Sequence, residues 1–262
     1  MSRLLKGTFP ILTVLASVLG LLPQARAATL LKETPEALIF NCSGCNPVPV
    51  EDYVVKGALR LKNEFKVRDG EIAVIYDYNA NYVHVITLES GTRTRVQIQK
   101  SYRSSGGRGG VSNRVKSGGT PAGAHVIYRK QGDGFRVGQT FDASKYGYQE
   151  TVLTPTTGYQ DWESDIVMTR ILRLRGLEGE LNNNSDKRSI LFHGTAEEGL
   201  IGYDESAGCI RLSNLDVVDL FDRVKVGTLA IMVNKHPRSN RIDRKLLEKV
   251  DESKVPELRR IR

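Results

Sequence analysis

The 262-residue sequence predicts a mainly β protein, and three observations carry that prediction. Between residues 72 and 98, three short apolar runs are separated by turn residues, the rhythm of an antiparallel meander. Further β-type runs follow at 124–128, 167–174, 189–192 and 228–233. Helical spacing between residue 28 and the tail is confined to 51–66 and to a short stretch after Asn214.

In chain order, the first stretch reads as an export signal. Arg3 and Lys6 form a positive start, Thr8 to Leu22 is an uncharged apolar run, and Ala25-Arg26-Ala27 fits an A-x-A cleavage pattern. The run is shorter than the ~20 residues that a membrane-spanning helix needs. The expectation is a signal peptide over 1–27, no stable transmembrane anchor after cleavage, and a periplasmic or otherwise exported mature protein. No cysteine stands at the cleavage point, which argues against a lipoprotein.

Residues 28–69 read as an N-terminal extension, either a small separate element or, as its shortness favours, a segment that packs on the body. Val50, Val54, Ala58, Leu61 and Phe65 recur at helical spacing and predict an amphipathic helix over 51–66. Arg68-Asp69-Gly70 is a turn, after which strands are expected at Ile72–Tyr76, Tyr82–Ile86 and Thr94–Ile98. Residues 104–119 hold six glycines and four serines and must be a mobile or tightly turned loop. Residues 131–165 read as a second loop region carrying Tyr146, Tyr148, Tyr159 and Trp162. Strands at 167–174 and 189–192 place His193 at a strand end, facing a cleft. Asn214 is expected to cap a short helix, Gly227 to break it, and 228–233 to form the closing strand. The body thus spans 70–234, and 235–262 is a charged, partly helical tail.

Charge is unevenly placed. The formal net charge is +8, of which 1–27 contributes Arg3, Lys6 and Arg26 without an acid. Residues 235–262 carry ten Lys or Arg against five acids, so 28–234 is neutral. A neutral body is not a nucleic-acid binder. The basic tail is either a solvated, solubilising segment or a weak, salt-sensitive hold on an anionic envelope surface.

Three cysteines are an odd number for an exported chain. Cys42-Ser43-Gly44-Cys45 reads as a small-loop structural disulfide. A redox pair that opens a helix is disfavoured by Asn46-Pro47-Val48-Pro49, and a zinc site lacks further ligands nearby. Cys209 is left over. It sits in Ser206-Ala207-Gly208-Cys209-Ile210-Arg211-Leu212, sixteen positions after His193 in His193-Gly194-Thr195. A thiol is a nucleophile as its thiolate, and an imidazole can take its proton near neutral pH. Gly208 leaves room for a substrate carbonyl beside the thiol. The bland reading is a small buried cysteine near a structural histidine.

These residues resemble the catalytic domain of the L,D-transpeptidases, the YkuD-like family of peptidoglycan-modifying enzymes. The resemblance rests on Thr120-Pro121-Ala122-Gly123, Arg188 to Thr195, Ile201-Gly202, and Ser206 to Asn214 with Asp216, Leu220 and Phe221. It implies a β-sandwich-like body over about 70–234 with a short helix after the nucleophile. It also implies Cys209 as nucleophile and His193 as general base and acid. Gly194, Thr195, Ser206, Gly208 and Arg211 would then shape the site, Arg211 by binding a substrate carboxylate or by scaffolding the cysteine loop. Backbone N–H groups around Cys209 would form an oxyanion hole, and Tyr159 and Trp162 would line a substrate lid or anchor packing. No cofactor or metal is required. The implied partners are peptidoglycan stem peptides, with an envelope protein as a further acyl acceptor. Where many members read Ser-His-Gly-Cys, this chain has Ala207, so activity must rest on His193. The alternatives are a thioester hydrolase (an L,D-carboxypeptidase, or release of a protein tether), a silent peptidoglycan-binding module, and a redox protein using Cys42 and Cys45.

Overall fold

The computed structural model describes residues 28–42, 45–141, 148–161, 165–236 and 240–250. The expected export signal, Tyr146, Trp162 and the end of the tail lie outside them. The strands are β1 (Leu30–Glu33), β2 (Ala37–Phe40), β3 (Ile72–Asp77), β4 (Tyr82–Glu89), β5 (Thr94–Ser105), β6 (Gly123–Gln131), β7 (Gln139–Phe141), β8 (Tyr148–Val152), β9 (Gln160–Asp161), β10 (Val167–Gly176), β11 (Leu191–Thr195), β12 (Ile210–Leu212), β13 (Leu229–Val233) and β14 (Glu248–Lys249). The helices are α1 (Asp52–Asn63) and α2 (Asn214–Arg223). The protein is mainly β.

The main sheet runs β1-β2-β5-β12-β11-β10-β6-β13-β3-β4, and β4 also pairs with β5, so its hydrogen-bonded path closes on itself. Closure depends on β5, which is long enough to take β2 and then β12 along one edge while β4 holds the other. A register shift between Val85 and Ile86 bends this ladder, as an extra residue in one strand does. Two facing walls result. Val74, Tyr76, Val83, Val85 and Tyr102 from one wall meet Ile127, Leu172, Leu174, Phe192, Ile210 and Leu212 from the other. Val217, Leu220 and Phe221 of α2 join this core.

The outer face of the β3–β4–β13 wall is covered as well. Val54, Val55, Ala58 and Leu61 of α1 lie against Ala73, Ile75, Ile86, Ile98 and Ile231, with Ala37 and Ile39 of β2 alongside. Strand β3 is therefore buried on both faces, which is why its sequence is continuously apolar instead of alternating. Residues 30–63 thus extend the sheet and cap its outer core. Cys42 and Cys45 are joined in a disulfide.

Several local expectations need correction. The 131–165 region is not simply loop: it contains β7, which pairs with β10 and β8, and β9. His193 lies in the middle of β11 and not at a strand end, because Gly194 and Thr195 continue the ladder with Met168 and Val167. Ser213, not Asn214, caps α2; its side chain accepts the Asp216 N–H at 3.1 Å. The Asn214 side chain turns back instead, donating to Thr195 O at 2.8 Å and accepting from Thr169 Oγ1 at 2.6 Å. In its described part the tail is a 3₁₀ turn, Arg244–Leu246, followed by β14 paired in parallel with β9. No helix among the described residues is long and apolar enough to cross a membrane.

Candidate active site

Strands β11 and β12 are parallel neighbours, with Phe192 opposite Ile210 and His193 opposite Arg211. Side chains alternate along a strand, so His193 and Arg211 project from one face while Phe192 and Ile210 enter the core. Cys209, two residues before Arg211, packs on that same face against Leu191, Ile171, Val167 and Phe141. The imidazole and the thiol are thereby diagonal neighbours, roughly 8 Å apart between Cα atoms from ordinary strand spacing and rise.

His193 is fully buried, and its Nδ1 lies 2.8 Å from Gly194 O. A carbonyl only accepts, so Nδ1 carries the proton and Nε2 holds the lone pair. Nε2 has no partner among the described residues. Cys209 is partly buried, and its thiol donates to Ser189 O at 3.2 Å. Ser189 has φ +53°, a left-handed backbone that turns this carbonyl toward the sulfur at a cost of about 1–2 kcal/mol.

The turn before Cys209 is fastened from within. Ser206 Oγ accepts the Gly208 N–H at 3.0 Å and donates to Cys209 O at 2.6 Å. Thr120 Oγ1 donates to Gly208 O and accepts the Gly107 N–H, both at 2.9 Å, which ties the glycine-rich loop to the turn. Gly208 has φ +131°, and a Cβ there would lie 2.9 Å from Gly119 O and 3.1 Å from an Arg188 nitrogen. Only glycine fits both constraints. Loop 106–119 is therefore the tightly turned alternative where it meets the site. The Gly208 and Ala207 N–H groups are already engaged, the latter by Asp165 Oδ2 at 3.3 Å, so neither is free for an oxyanion in this arrangement.

Arg211 is 1% exposed, and Asp165 and Glu197 take its guanidinium between them. Asp165 Oδ1 is 3.0 Å from Nε and 2.8 Å from a terminal nitrogen, and Glu197 holds the other terminal nitrogen. No face of this guanidinium is presented to a ligand. Burial pushes the Asp165 carboxyl up, but the charges of Arg211 and His193 and the Ala207 N–H more than offset it, leaving the carboxyl below its ordinary range. Burial pulls His193 below the ordinary histidine value, with Asp165 opposing. The Cys209 thiol is pushed up to about 12, first by burial and then by the Asp165 charge, against the Leu191 N–H, Arg211 and Arg188.

The structure therefore brings Cys209, His193, Arg211, Ser206 and Gly208 to one place. Gly194 admits the Asn214 side chain: a Cβ there would lie 3.2 Å from Asn214 Cγ. Thr195 is fully buried and bonded to Glu197 N and, through its carbonyl, to Asn214. Tyr159 is 43% exposed and edge-on to Tyr203, and its carbonyl receives the Glu248 N–H at 2.8 Å, so it lies beside the tail strand. Asp165 and Glu197 were not singled out by sequence. Glu197, four residues after His193, was within reach of a search for the acid that a buried arginine needs. Nothing local marks Asp165, 46 residues before Arg211. Arg188 belongs to the motif, but its place beside Gly119 O and the thiol is a structural finding.

The family model of YkuD, the L,D-transpeptidase catalytic domain, matches residues 80–233. Among solved structures, an L,D-transpeptidase from Mycobacterium smegmatis aligns at 20% identity and TM-score 0.36, over 62% of this chain and 58% of that one. Bd1075 from Bdellovibrio bacteriovorus aligns at 13% identity and TM-score 0.37, over 66% and 50%. L,D-transpeptidase 1 from Mycobacterium tuberculosis aligns at 17% identity and TM-score 0.34, over 62% and 60%. The chain spans little more than half the length of these structures. No curated protein matches the chain.

Proposed function

The chain belongs to the L,D-transpeptidase catalytic domain family, and from that premise we propose that it is an exported cysteine acyltransferase acting on peptidoglycan tetrapeptide stems. The observation that carries this reading is the unprotonated, unpartnered Nε2 of buried His193 on the same sheet face as the free thiol of Cys209.

In the first step His193 Nε2 takes the thiol proton as sulfur attacks the carbonyl at the L-centre of the stem's diamino acid. A C–S bond forms, the C–N bond to the terminal D-alanine breaks, and the imidazolium returns the proton to the leaving amine. In the second step an acceptor amine attacks the thioester, its proton passes through His193 back to sulfur, and a new amide replaces the C–S bond. A thiol near 12 and an imidazole below about 6.5 make the resting pair neutral. Proton transfer is therefore uphill in the resting pair and is coupled to the attack of sulfur on the carbonyl, as in general-base catalysis. Asp165 supports the step by its charge, which favours the imidazolium. Arg211 acts as a positioning residue that holds Asp165 and, through it, Ala207.

The test is incubation of the mature protein with tetrapeptide-containing muropeptides, followed by product analysis and intact protein mass. The expected result is a mass gain on Cys209, D-alanine release and new crosslinked dimers. Release without dimers would redirect the acceptor to water. Binding without any release would overturn the reading.

A further inference from the structure

The family match ends at residue 233, yet the chain beyond it returns to the candidate site. Asn240 exchanges backbone hydrogen bonds with Asp204: its carbonyl accepts the Asp204 N–H at 2.7 Å, and its own N–H donates to the Asp204 carboxylate. Arg241 grips Glu205 with two nitrogens, at 3.2 and 3.1 Å, and Ile242 is buried. Farther on, β14 pairs with β9, Val250 N–H donates to Asp161 O at 3.0 Å, and Val250 joins a small cluster with Leu153, Ile166, Met168 and Ala196. The segment is thus fastened at one end to the residues entering the nucleophile turn and at the other to the strand that leads to Asp165.

Between these two fastenings lies a cavity of about 250 Å³, lined by Arg108, Asp161, Glu205, Arg241, Leu247 and Lys249. Glu205 immediately precedes Ser206, and Ala207 beside it is exposed and carries only a methyl group. Three cations face two carboxylates. Arg241 and Glu205 neutralise each other as a pair. Arg108 bonds to the Glu205 carbonyl at 3.0 Å, and neither Arg108 nor Lys249 has a carboxylate partner among the described residues. Two cations with spare donors therefore face one remaining acid, Asp161.

We propose that this cavity binds a carboxylate of the peptide substrate through Arg108 and Lys249, which makes the C-terminal segment a working part of the substrate site. The charge balance selects a monoanion, because a phosphate dianion would meet Asp161 and Glu205 at short range. Arg108 offers the planar donor set that matches a carboxylate, Lys249 adds a mobile point charge, and Leu247 supplies an apolar wall for the attached carbon chain. Arg211, closed off by its two acids, cannot do this work. The proposal rests on the acyltransferase reading for the identity of the peptide. Two carboxylates of a stem qualify: the one on the terminal residue and a free one on the diamino acid.

The experiment compares the full chain with Arg108→Gln, Lys249→Gln and the double variant on three probes. These are a tetrapeptide-stem muropeptide, its C-terminal carboxamide, and the form amidated on the diamino acid. Wild type should favour the free acid, and the double variant should raise its KM at least about tenfold, the weight of one charge-assisted hydrogen bond, with kcat within about twofold. Amidation of the recognised carboxylate should cost wild type the same factor and the double variant nothing, which identifies the carboxylate. Equal effects of the variants on the acid and both amides, or no effect, would overturn the proposal. Binding of the same probes to Cys209→Ala protein, with and without the two substitutions, gives a readout free of chemistry. An inactive wild type would therefore count against the acyltransferase, while an unchanged discrimination in binding would count against the subsite. Lys249 is exposed at the protein's edge, so an unaltered thermal midpoint is expected for Lys249→Gln.

Discussion

The wall built from β3, β4 and β13 and the wall built from β10, β11 and β12 are both sealed from water, but with different materials. The first is hydrocarbon on both faces apart from buried His84 and Asp77, with α1 closing the outside and Tyr76 and Val85 closing the inside. The second is hydrocarbon toward the shared core, while its other face sets an apolar patch of Phe141, Val167, Ile171 and Leu191 beside buried polar groups. That face buries His193, Arg211, Asn214, Thr169 and Thr195, with Glu197 and Asp165 completing the polar network. Apolar burial stabilises in proportion to area wherever side chains fit, at about 25 cal/mol per Å². A buried guanidinium stabilises nothing unless each acid is in place. One wall holds the fold; the other spends stability to hold groups in fixed positions.

Breaking each wall should separate these roles. Asp165→Asn leaves Arg211 with Glu197 alone and should cost about 3–5 kcal/mol, seen as a lower denaturant midpoint. By loosening the Ala207 contact it should also slow acylation about a hundredfold. Leu61→Ala, under α1, should cost about 2–5 kcal/mol, yet leave acylation of the folded protein within about twofold. If Leu61→Ala slowed acylation as much as Asp165→Asn, the division would fail.

Gly208→Ala should come next. Its side chain would occupy strained backbone and meet Gly119 O, for about 1–3 kcal/mol and a loss of acylation of similar size to that of Asp165→Asn.

Protonation gives a finer contrast. His84, in the first wall, is held down to about 4 by burial alone, while its Nδ1 bonds Ser101 Oγ at 2.8 Å. The unfolded histidine binds a proton near pH 6.5 and the folded one does not until about 4. Stability should therefore fall as pH falls through that window, by about 3 kcal/mol from this residue. His84→Gln should remove that share from urea titrations at pH 7 and pH 4, without altering how acylation depends on pH. Asp165 acts lower and in the opposite sense to a raised carboxyl: its contribution is present above about pH 4 and is lost as pH falls below.

The smallest effect is expected at Ala207. Its methyl group is exposed and its N–H faces Asp165, so Ala207→His should add a cation beside the turn only below about pH 6.5. Alkylation of Cys209 should then be faster there by a few-fold. An unchanged profile would mean that position 207 does not tune the thiol.

What was legible in sequence follows the same division. The first wall announces itself because buried strands and an amphipathic helix must be apolar at regular spacing: Ile72 to Tyr76 and Val54, Ala58 and Leu61 could be placed directly. The second wall shows its candidate pair, Cys209 and His193, in the sequence but not the residues that support them. Strands β7 and β9 are too short and polar for a period to register. Ser213 and Asn214 are equally good caps by chemistry, and the choice is made by Asn214 reaching Thr195 and Thr169 across the fold. Asp165 is an ordinary loop aspartate until folding sets it on Arg211. The tail read as a charged helix because its residues are charged; its pairing with β9 and its grip on Asp204 and Glu205 are tertiary facts.

The central claim is that His193 Nε2 takes the Cys209 proton when substrate binds. The most direct measurement is the rate of Cys209 acylation by a tetrapeptide stem in single turnover, as a function of pH, for wild type and His193→Gln. The account predicts a wild-type rate that stays level through the ordinary histidine range and declines only at lower pH, where the depressed His193 imidazole becomes protonated. His193→Gln should be slower by at least about a hundredfold and should accelerate with hydroxide through pH 9. A wild-type rate that itself climbs tenfold per pH unit between 7 and 9 would show that solvent, and not His193, removes the proton.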